Sequence, residues 1–338
     1  MVKKFFLILI SLLIGAFVAL CLWLYLPWPH SAVTHVYGVT WSPAYARYLG
    51  IDSVDGLRQV MGDLGLKQIR LPTYWTDIEP AQGQFDWTDL DAHLDVIKQQ
   101  QGSVLMVVGA KQPRWPECWV PSWVKVLSPS ARDQAQLDYV DAVVRRYANS
   151  SVVQAWQVEN ESGFLFSTFG DCANDHPALL SEEMDRIRSL EQELHVAQKP
   201  IVTTTSGELS TWLFFPKTLD GFGVSVYRTV VNPQLGVLHY WFLTPQTYAR
   251  RALLTGHPVR STFVDELQME PWVTQDIRTT SFANQVKTFS VKDMQSNFAY
   301  AQDLGFSKIY FWGAEWWLWM KAQGHPEFWQ AAQAFFHK

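Results

Sequence analysis

Eight short β-rich runs, separated by amphipathic helical patterns, restrict this sequence more than any other feature. The runs are 35–40, 68–71, 103–108, 152–159, 200–204, 221–225, 260–264 and 308–311. Helical candidates fall at 53–64, 88–100, 132–147, 181–196, 244–253 and 290–304, and 326–337 closes the chain. Alternating strands and helices favour a parallel sheet, because each crossover helix carries the chain back to start the next strand in the same direction. Eight such units predict an α/β fold, a closed (β/α)8 TIM barrel. A doubly wound sheet is the alternative, but no Gly-rich phosphate turn follows the first run.

Before the barrel, Lys3 and Lys4 precede residues 5–26, which carry no charge. At about 1.5 Å per residue this stretch spans roughly 33 Å as a helix, enough to cross a bilayer. It is longer than the apolar core of a secretory signal, and Leu26-Pro27-Trp28-Pro29-His30 offers no small-residue cleavage site. The expectation is an uncleaved transmembrane anchor, with the lysines on the cytoplasmic side and the remainder outside, at a cell surface or in a periplasm. Residues 1–30 are then stub, anchor and linker. Residues 31–338 are one barrel, since no Gly/Ser-rich run, charge block or low-complexity tract divides them.

The formal net charge of −5 gives no basic footprint, which argues against a nucleic-acid partner. Of three cysteines, Cys21 lies in the anchor, while Cys118 and Cys172 fall after the third and fourth runs. A bridge between these two and a pair of free thiols both fit the spacing.

In such a barrel the chemistry sits where strands end. The fourth run ends in Trp156-Gln157-Val158-Glu159-Asn160-Glu161. Strand alternation puts Trp156 and Val158 on one face, and Gln157, Glu159 and Glu161 on the other. A carboxylate-bearing face on a central strand needs partners, because buried unpaired charge is costly. The seventh run leads into Asp265-Glu266-Leu267-Gln268-Met269-Glu270, where parity turns Glu266 inward and Phe263 outward. Arg70, inward on the second run, is placed to pair with Glu159 or Glu266. Tyr74-Trp75 and Tyr227-Arg228 follow the second and sixth runs, Trp41 follows the first, and Trp312-Gly313-Ala314-Glu315-Trp316-Trp317 follows the eighth. Many of the chain's 17 Trp fall in these segments, where flat apolar rings with a polar edge suit sugar faces.

Two carboxylates are the minimum equipment for cleaving a glycosidic bond. Glu161 and Glu266 are the pair the strand ends offer, with Asp265 and Glu270 as the nearest rivals. No His-x-x-x-His or Glu-x-x-His spacing falls at a strand end and no Gly-x-Ser-x-Gly elbow occurs, so neither a metal site nor a serine nucleophile is expected. Ser206-Gly207-Glu208 reads as a turn with a cap, or as a substrate-side contact. Residues 230–242 are unusually apolar for a loop, and core packing of a short insertion is the preferred reading over a cover for the site or a membrane contact.

At these residues the sequence resembles the clan A glycoside hydrolases, retaining β-glycosidases on a (β/α)8 barrel. In that clan an Asn-Glu pair ends the fourth strand and a second Glu ends the seventh. Residues 156–161, and Trp75-Thr76-Asp77-Ile78-Glu79-Pro80 with Phe85-Asp86-Trp87, look like segments of its β-galactosidase and cellulase-like families. The resemblance implies Glu161 as acid/base, Glu266 as nucleophile and Asn160 as the ligand of a sugar 2-hydroxyl. It further implies that Arg70 and Tyr227 orient the nucleophile and that Trp312 floors the subsite of the cleaved sugar. Trp41, Trp75 and Glu315 complete the expected substrate contacts, Glu315 through sugar hydroxyls or an amino sugar. The substrate is then a β-linked oligo- or polysaccharide, cleaved by double displacement without metal or organic cofactor. The carboxyl groups of Glu161 and Glu266 are expected about 5–5.5 Å apart. A non-catalytic glycan-binding barrel and a transglycosylase using the same residues are the alternatives.

Overall fold

The structure is a computed structural model that describes residues 2–26, 33–162, 172, 177–213, 215–232 and 234–336. Its strands are β1 (Val36–Thr40), β2 (Gln68–Pro72), β3 (Ser103–Val108), β4 (Val153–Val158), β5 (Ile201–Thr205), β6 (Gly221–Val226), β7 (Thr229–Asn232), β8 (Gly236–His239), β9 (Thr262–Gln268) and β10 (Lys308–Trp312). Eight of them close into a parallel barrel in the order β1-β10-β9-β6-β5-β4-β3-β2, and β7 pairs with β8 as a separate antiparallel hairpin. Each of the eight expected runs becomes one barrel strand.

The strands are apolar on both faces for different reasons. Outward, Trp156, Val158, Val264, Leu267 and Phe311 pack beneath the helix layer. Inward, Leu105, Val202, Phe263 and Tyr310, from β3, β5, β9 and β10, form a separate apolar plug that closes the barrel's lower half. Glycines make room for its large rings. A Cβ on Gly223 would come within 2.8 Å of Phe263, and one on Gly38 within 2.8 Å of Tyr310. Above this plug the interior turns polar.

The inward position of Phe263 overturns the expected parity. Val264 pairs with Val224 but Glu266 pairs with Ser225, so β9 carries one extra residue, Asp265, against β6. The same irregularity appears against β10. This bulge lets Phe263, Asp265 and Glu266 all face the interior while Val264 and Leu267 face the helices.

A second departure lies at the end of β4, where Glu159 and Glu161 take φ of +58° and +44°. Alternation therefore fails there. Glu159 turns away from Arg70 and accepts hydrogen bonds from the Ala110 N–H (2.8 Å), the Lys111 N–H (2.6 Å) and Gln136 Nε2 (2.8 Å). Its carboxylate organises the chain after β3.

The helices follow from their caps and apolar faces. Asp52 caps the helix Ser53–Leu64 and Gly65, at φ +67°, ends it. Ser290 and Asp293 form a capping box on Val291–Gln302. The helix Ala314–Ala322, like Pro43–Tyr48 and Phe282–Thr288, was not expected, and it takes Trp316 and Trp317 into the core. Their indole nitrogens donate to Gln285 Oε1 and to the Met269 carbonyl rather than facing a ligand.

The apolar insertion 230–242 also departs from expectation. Rather than packing in the core it forms the β7–β8 hairpin, with Leu235 72 % and Trp241 78 % exposed. Cys118 and Cys172 form a disulfide with Cα atoms 5.3 Å apart.

At the N-terminus, Val2–Tyr25 is a helix, and its stretch Lys4–Tyr25 is long and apolar enough to cross a membrane. Its carboxyl end touches the helix Pro245–Leu254, where the Arg250 guanidinium lies 4.9 Å from the Trp23 ring centre. The expected boundary at residues 30 and 31 lies outside the described residues.

Candidate active site

A cavity of about 710 Å³ opens at the carboxyl ends of the strands. Glu161, Glu266, Asn160, Tyr227 and Trp312 all line it, as the strand ends predicted. Its walls are rich in aromatic rings, among them Tyr45, Trp115, Trp119, Tyr240 and Trp272.

Arg70 lies beneath the cavity, fully buried, and binds most of what surrounds it. Its Nε donates to Gln157 Oε1 (2.7 Å), Nη1 to Thr40 Oγ1 (3.2 Å) and to Glu266 Oε1 (2.8 Å), and Nη2 to Asn160 Oδ1. One guanidinium thus fixes both the carboxylate from β9 and the amide after β4. The second oxygen of Glu266 accepts from the Tyr227 hydroxyl at 2.9 Å. Burial, then the charges of Glu266 and Glu161, pushes the Tyr227 hydroxyl far above its ordinary value, which keeps it a donor.

Asp265, brought inward by the bulge, reaches Arg70 only at 3.5 Å. Among the described residues nothing donates a hydrogen bond to its carboxyl. Burial pushes its pKa well up, against the pull of Arg70.

Glu161 sits in a different environment. Its Oε1 accepts from Ser225 Oγ at 2.6 Å, and its backbone N–H donates to Thr204 Oγ1 at 2.9 Å. Lys111 Nζ, at 2.9 Å, is taken up by the Glu161 carbonyl rather than its carboxylate. Burial and, after it, the negative charge of Glu266 raise the Glu161 pKa, with Ser225 opposing them. Two carboxyl groups thus face one cavity in different surroundings, Glu266 between a guanidinium and a phenol and Glu161 beside the Ser225 hydroxyl.

Three expected contacts are not cavity contacts. Trp41 is fully buried, its ring 3.0 Å from where a Cβ on Gly56 would lie. Trp75 is fully buried too, stacked on Tyr139 with centroids 5.0 Å apart and bonded to Glu79 Oε2 at 2.8 Å. Both follow strands, but the short helices that begin there turn them into the core. Glu315 is fully buried behind the wall. It accepts from the Ser42 N–H and from Arg114 Nη2 at 3.2 Å.

Arg114 went unrecognised in the sequence. It lies between the Tyr45 and Trp312 rings, at 3.8 and 3.9 Å from their centres, and forks onto Glu270 as well as Glu315. Burial alone would lower its pKa, but those two carboxylates more than reverse this. The rings and acids that hold it come from three separate segments, so no local pattern marks it. Glu208 proves to be a cavity residue as well as a loop cap. One oxygen accepts from the Tyr227 N–H (2.7 Å) and the Tyr248 hydroxyl (2.6 Å), and burial pushes its pKa up to about 8. Ser225 on β6 shares parity with Tyr227 just beyond the strand, a signal that was there to be read.

Residues 53–198 match the family model described as "Glyco_hydro_42: Beta-galactosidase". Beta-galactosidase BgaA of Clostridium cellulovorans is 25% identical over 184 residues, covering 48% of this chain and 27% of that protein. The chain therefore aligns with about a quarter of that relative's length. Among solved structures, an exo-β-1,4-mannosidase, Op5Man5, from Opitutaceae bacterium strain TAV5 superposes with a TM-score of 0.57 at 15% identity, over 90% of this chain and 60% of that one. GH5_18 from Streptomyces cattleya, solved in complex with GlcNAc, gives 0.56 at 13% identity, over 83% and 71%. Over residues 53–198 the sequence is similar to that β-galactosidase family, and over most of its length the chain shares the (β/α)8 fold of these solved structures.

Proposed function

We propose that the barrel is a retaining glycoside hydrolase acting on a β-linked oligo- or polysaccharide, with Glu161 as acid/base and Glu266 as nucleophile. The observation that carries this reading is the contrast between the two carboxyl groups across one aromatic cavity: Glu266 is gripped by Arg70 and Tyr227, and Glu161 is raised in pKa by burial and by Glu266. In the first step Glu266 attacks the anomeric carbon as its bond to the leaving oxygen breaks, and Glu161 gives that oxygen its proton. In the second, Glu161 takes a proton from water, the hydroxyl adds to the anomeric carbon and Glu266 departs. Asn160, held by Arg70, faces the 2-hydroxyl of the cleaved sugar, and Trp312 lies under its ring.

We also take residues 1–30 as a membrane anchor with its linker, and 31–338 as the catalytic domain on the extracytoplasmic side. The Cys118–Cys172 bridge supports that side, since structural disulfides persist in oxidising compartments.

The test is a panel of mechanism-based 2-fluoro-sugars, read by intact mass and peptide mapping on wild type and Glu266→Gln. The expected result is an adduct on Glu266 that vanishes in the variant. Glycan binding with no adduct from any sugar would instead identify a binding barrel.

A further inference from the structure

The exposed apolar side chains of this barrel are not spread evenly. Among the described residues from 33 onward fourteen large apolar side chains are exposed, and eight of them fall within residues 209–254. The most prominent are Leu235 and Val237 on the hairpin, Trp241 and Phe242 just after it, and Leu253 and Leu254 at the end of the helix Pro245–Leu254. Exposed singly, such residues need no explanation; concentrated in one sector they mark a contact surface.

The charge of the same sector is also one-sided. Residues 209–264 contain Lys217, Arg228, Arg250, Arg251 and Arg260 against a single acid, Asp220, in a chain whose formal net charge is −5. Asp220 is itself paired with Arg188. Of these cations Lys217 and Arg260 are exposed, while Arg250 is buried. Apolar side chains beside exposed cations suit an anionic lipid surface.

The N-terminal helix gives the third observation. Of its described side chains only Cys21 and Leu24, near its carboxyl end, are half-buried rather than exposed, and that end lies against the helix Pro245–Leu254. Trp23 and Tyr25 lie in the same turn, and aromatic residues of that kind settle at a membrane–water interface. If this helix spans a bilayer, the headgroup layer meets the barrel at the sector that is apolar and basic.

We infer that the β7–β8 hairpin, Trp241–Phe242 and the end of Pro245–Leu254 form a face that docks on an anionic bilayer surface. The proposed membrane span adds support to this face, which rests on its own exposed side chains and not on the proposed chemistry. Leu209, Val230 and Tyr240 belong to the cavity wall as well, so the cavity opens at the edge of the docked face.

The experiment uses the full chain in nanodiscs of phosphatidylcholine with or without phosphatidylglycerol, in a Cys21→Ser background. An environment-sensitive fluorophore is placed in turn at Leu235→Cys, Leu254→Cys, Leu12→Cys and Asp95→Cys, and quenched with spin-labelled lipid. The expected result is a blue shift and lipid quenching at 235 and 254, stronger with phosphatidylglycerol, and neither at 95 on the far side of the barrel. The probe at 12 reports the span separately. Quenching at 12 with positions 235 and 254 behaving like 95 overturns the docking face while leaving the anchor. Quenching at 235 and 254 without 12 upholds the face and removes the anchor. A blue shift at 235 produced by added oligosaccharide and not by lipid would make the face a glycan contact and overturn the inference.

Discussion

Ser225 hands Glu161 a hydrogen bond of 2.6 Å, and that bond works against the two influences that raise the Glu161 pKa, burial and the charge of Glu266. The bond favours the carboxylate, so its removal lets the pKa rise further. An acid that must be protonated then stays protonated to higher pH. In Ser225→Ala the alkaline limb of kcat/KM should therefore move upward, a shift read directly from the pH–rate profile of the free enzyme. A limb that stays put or moves down would remove Glu161 as the proton donor. At this scale the sequence was legible where chemistry forces residue type: two carboxylates, an Asn, an Arg and a Tyr at strand ends. It was not legible for Trp41 and Trp75, because position after a strand does not say whether the next turn carries a ring into the core or into the cavity.

Two elements do more than their strand labels suggest. At the end of β3, Gly109 has φ +108°, and a Cβ there would come within 2.1 Å of Glu159 Oε1. Only glycine lets the Glu159 carboxylate approach and receive the N–H groups of Ala110 and Lys111. Gly109→Ala should destabilise the protein by about 1–3 kcal/mol, measured by denaturant unfolding, because it strains the backbone and displaces that carboxylate. A variant as stable as wild type would show that Glu159 does not organise this loop. The bulge in β9 is the other case. Counting alternate residues through β9 turned Glu266 inward, and it is inward, but the count also sent Phe263 outward. The fault is a single inserted residue, and nothing in Thr-Phe-Val-Asp-Glu announces it. Likewise the run 152–159 was readable as a strand, while the two left-handed residues that end it were not, since Glu is a type that rarely adopts that conformation.

Across the whole molecule, the barrel was legible because its strand–helix alternation repeats eight times and each repetition supports the others. The long-range ties were not. The Cys118–Cys172 bridge closes 54 residues of sequence, which in the chain-entropy picture is worth about 4 kcal/mol. It joins the segment that carries Arg114, Trp115 and Glu117, all on the cavity wall, to the chain beyond β4. Reduction, or the double substitution Cys118→Ser with Cys172→Ser, should lower unfolding stability by up to about that amount. Calorimetry with and without reductant checks this, and an unchanged Tm would mean that the bridge constrains little. The opposite wall is built on another plan. There the β7 and β8 strands pair only with each other, and the hairpin is tied at its base, where Gln268 Nε2 donates to the Thr229 carbonyl at 2.6 Å and Arg228 Nη1 to the Leu243 carbonyl at 2.8 Å. Gln268 Oε1 also accepts from the Arg228 and Thr229 N–H groups, both at 3.0 Å, so the distance from Tyr240 across to Trp312 is set by these ties at the hairpin's base and not by the barrel's own radius.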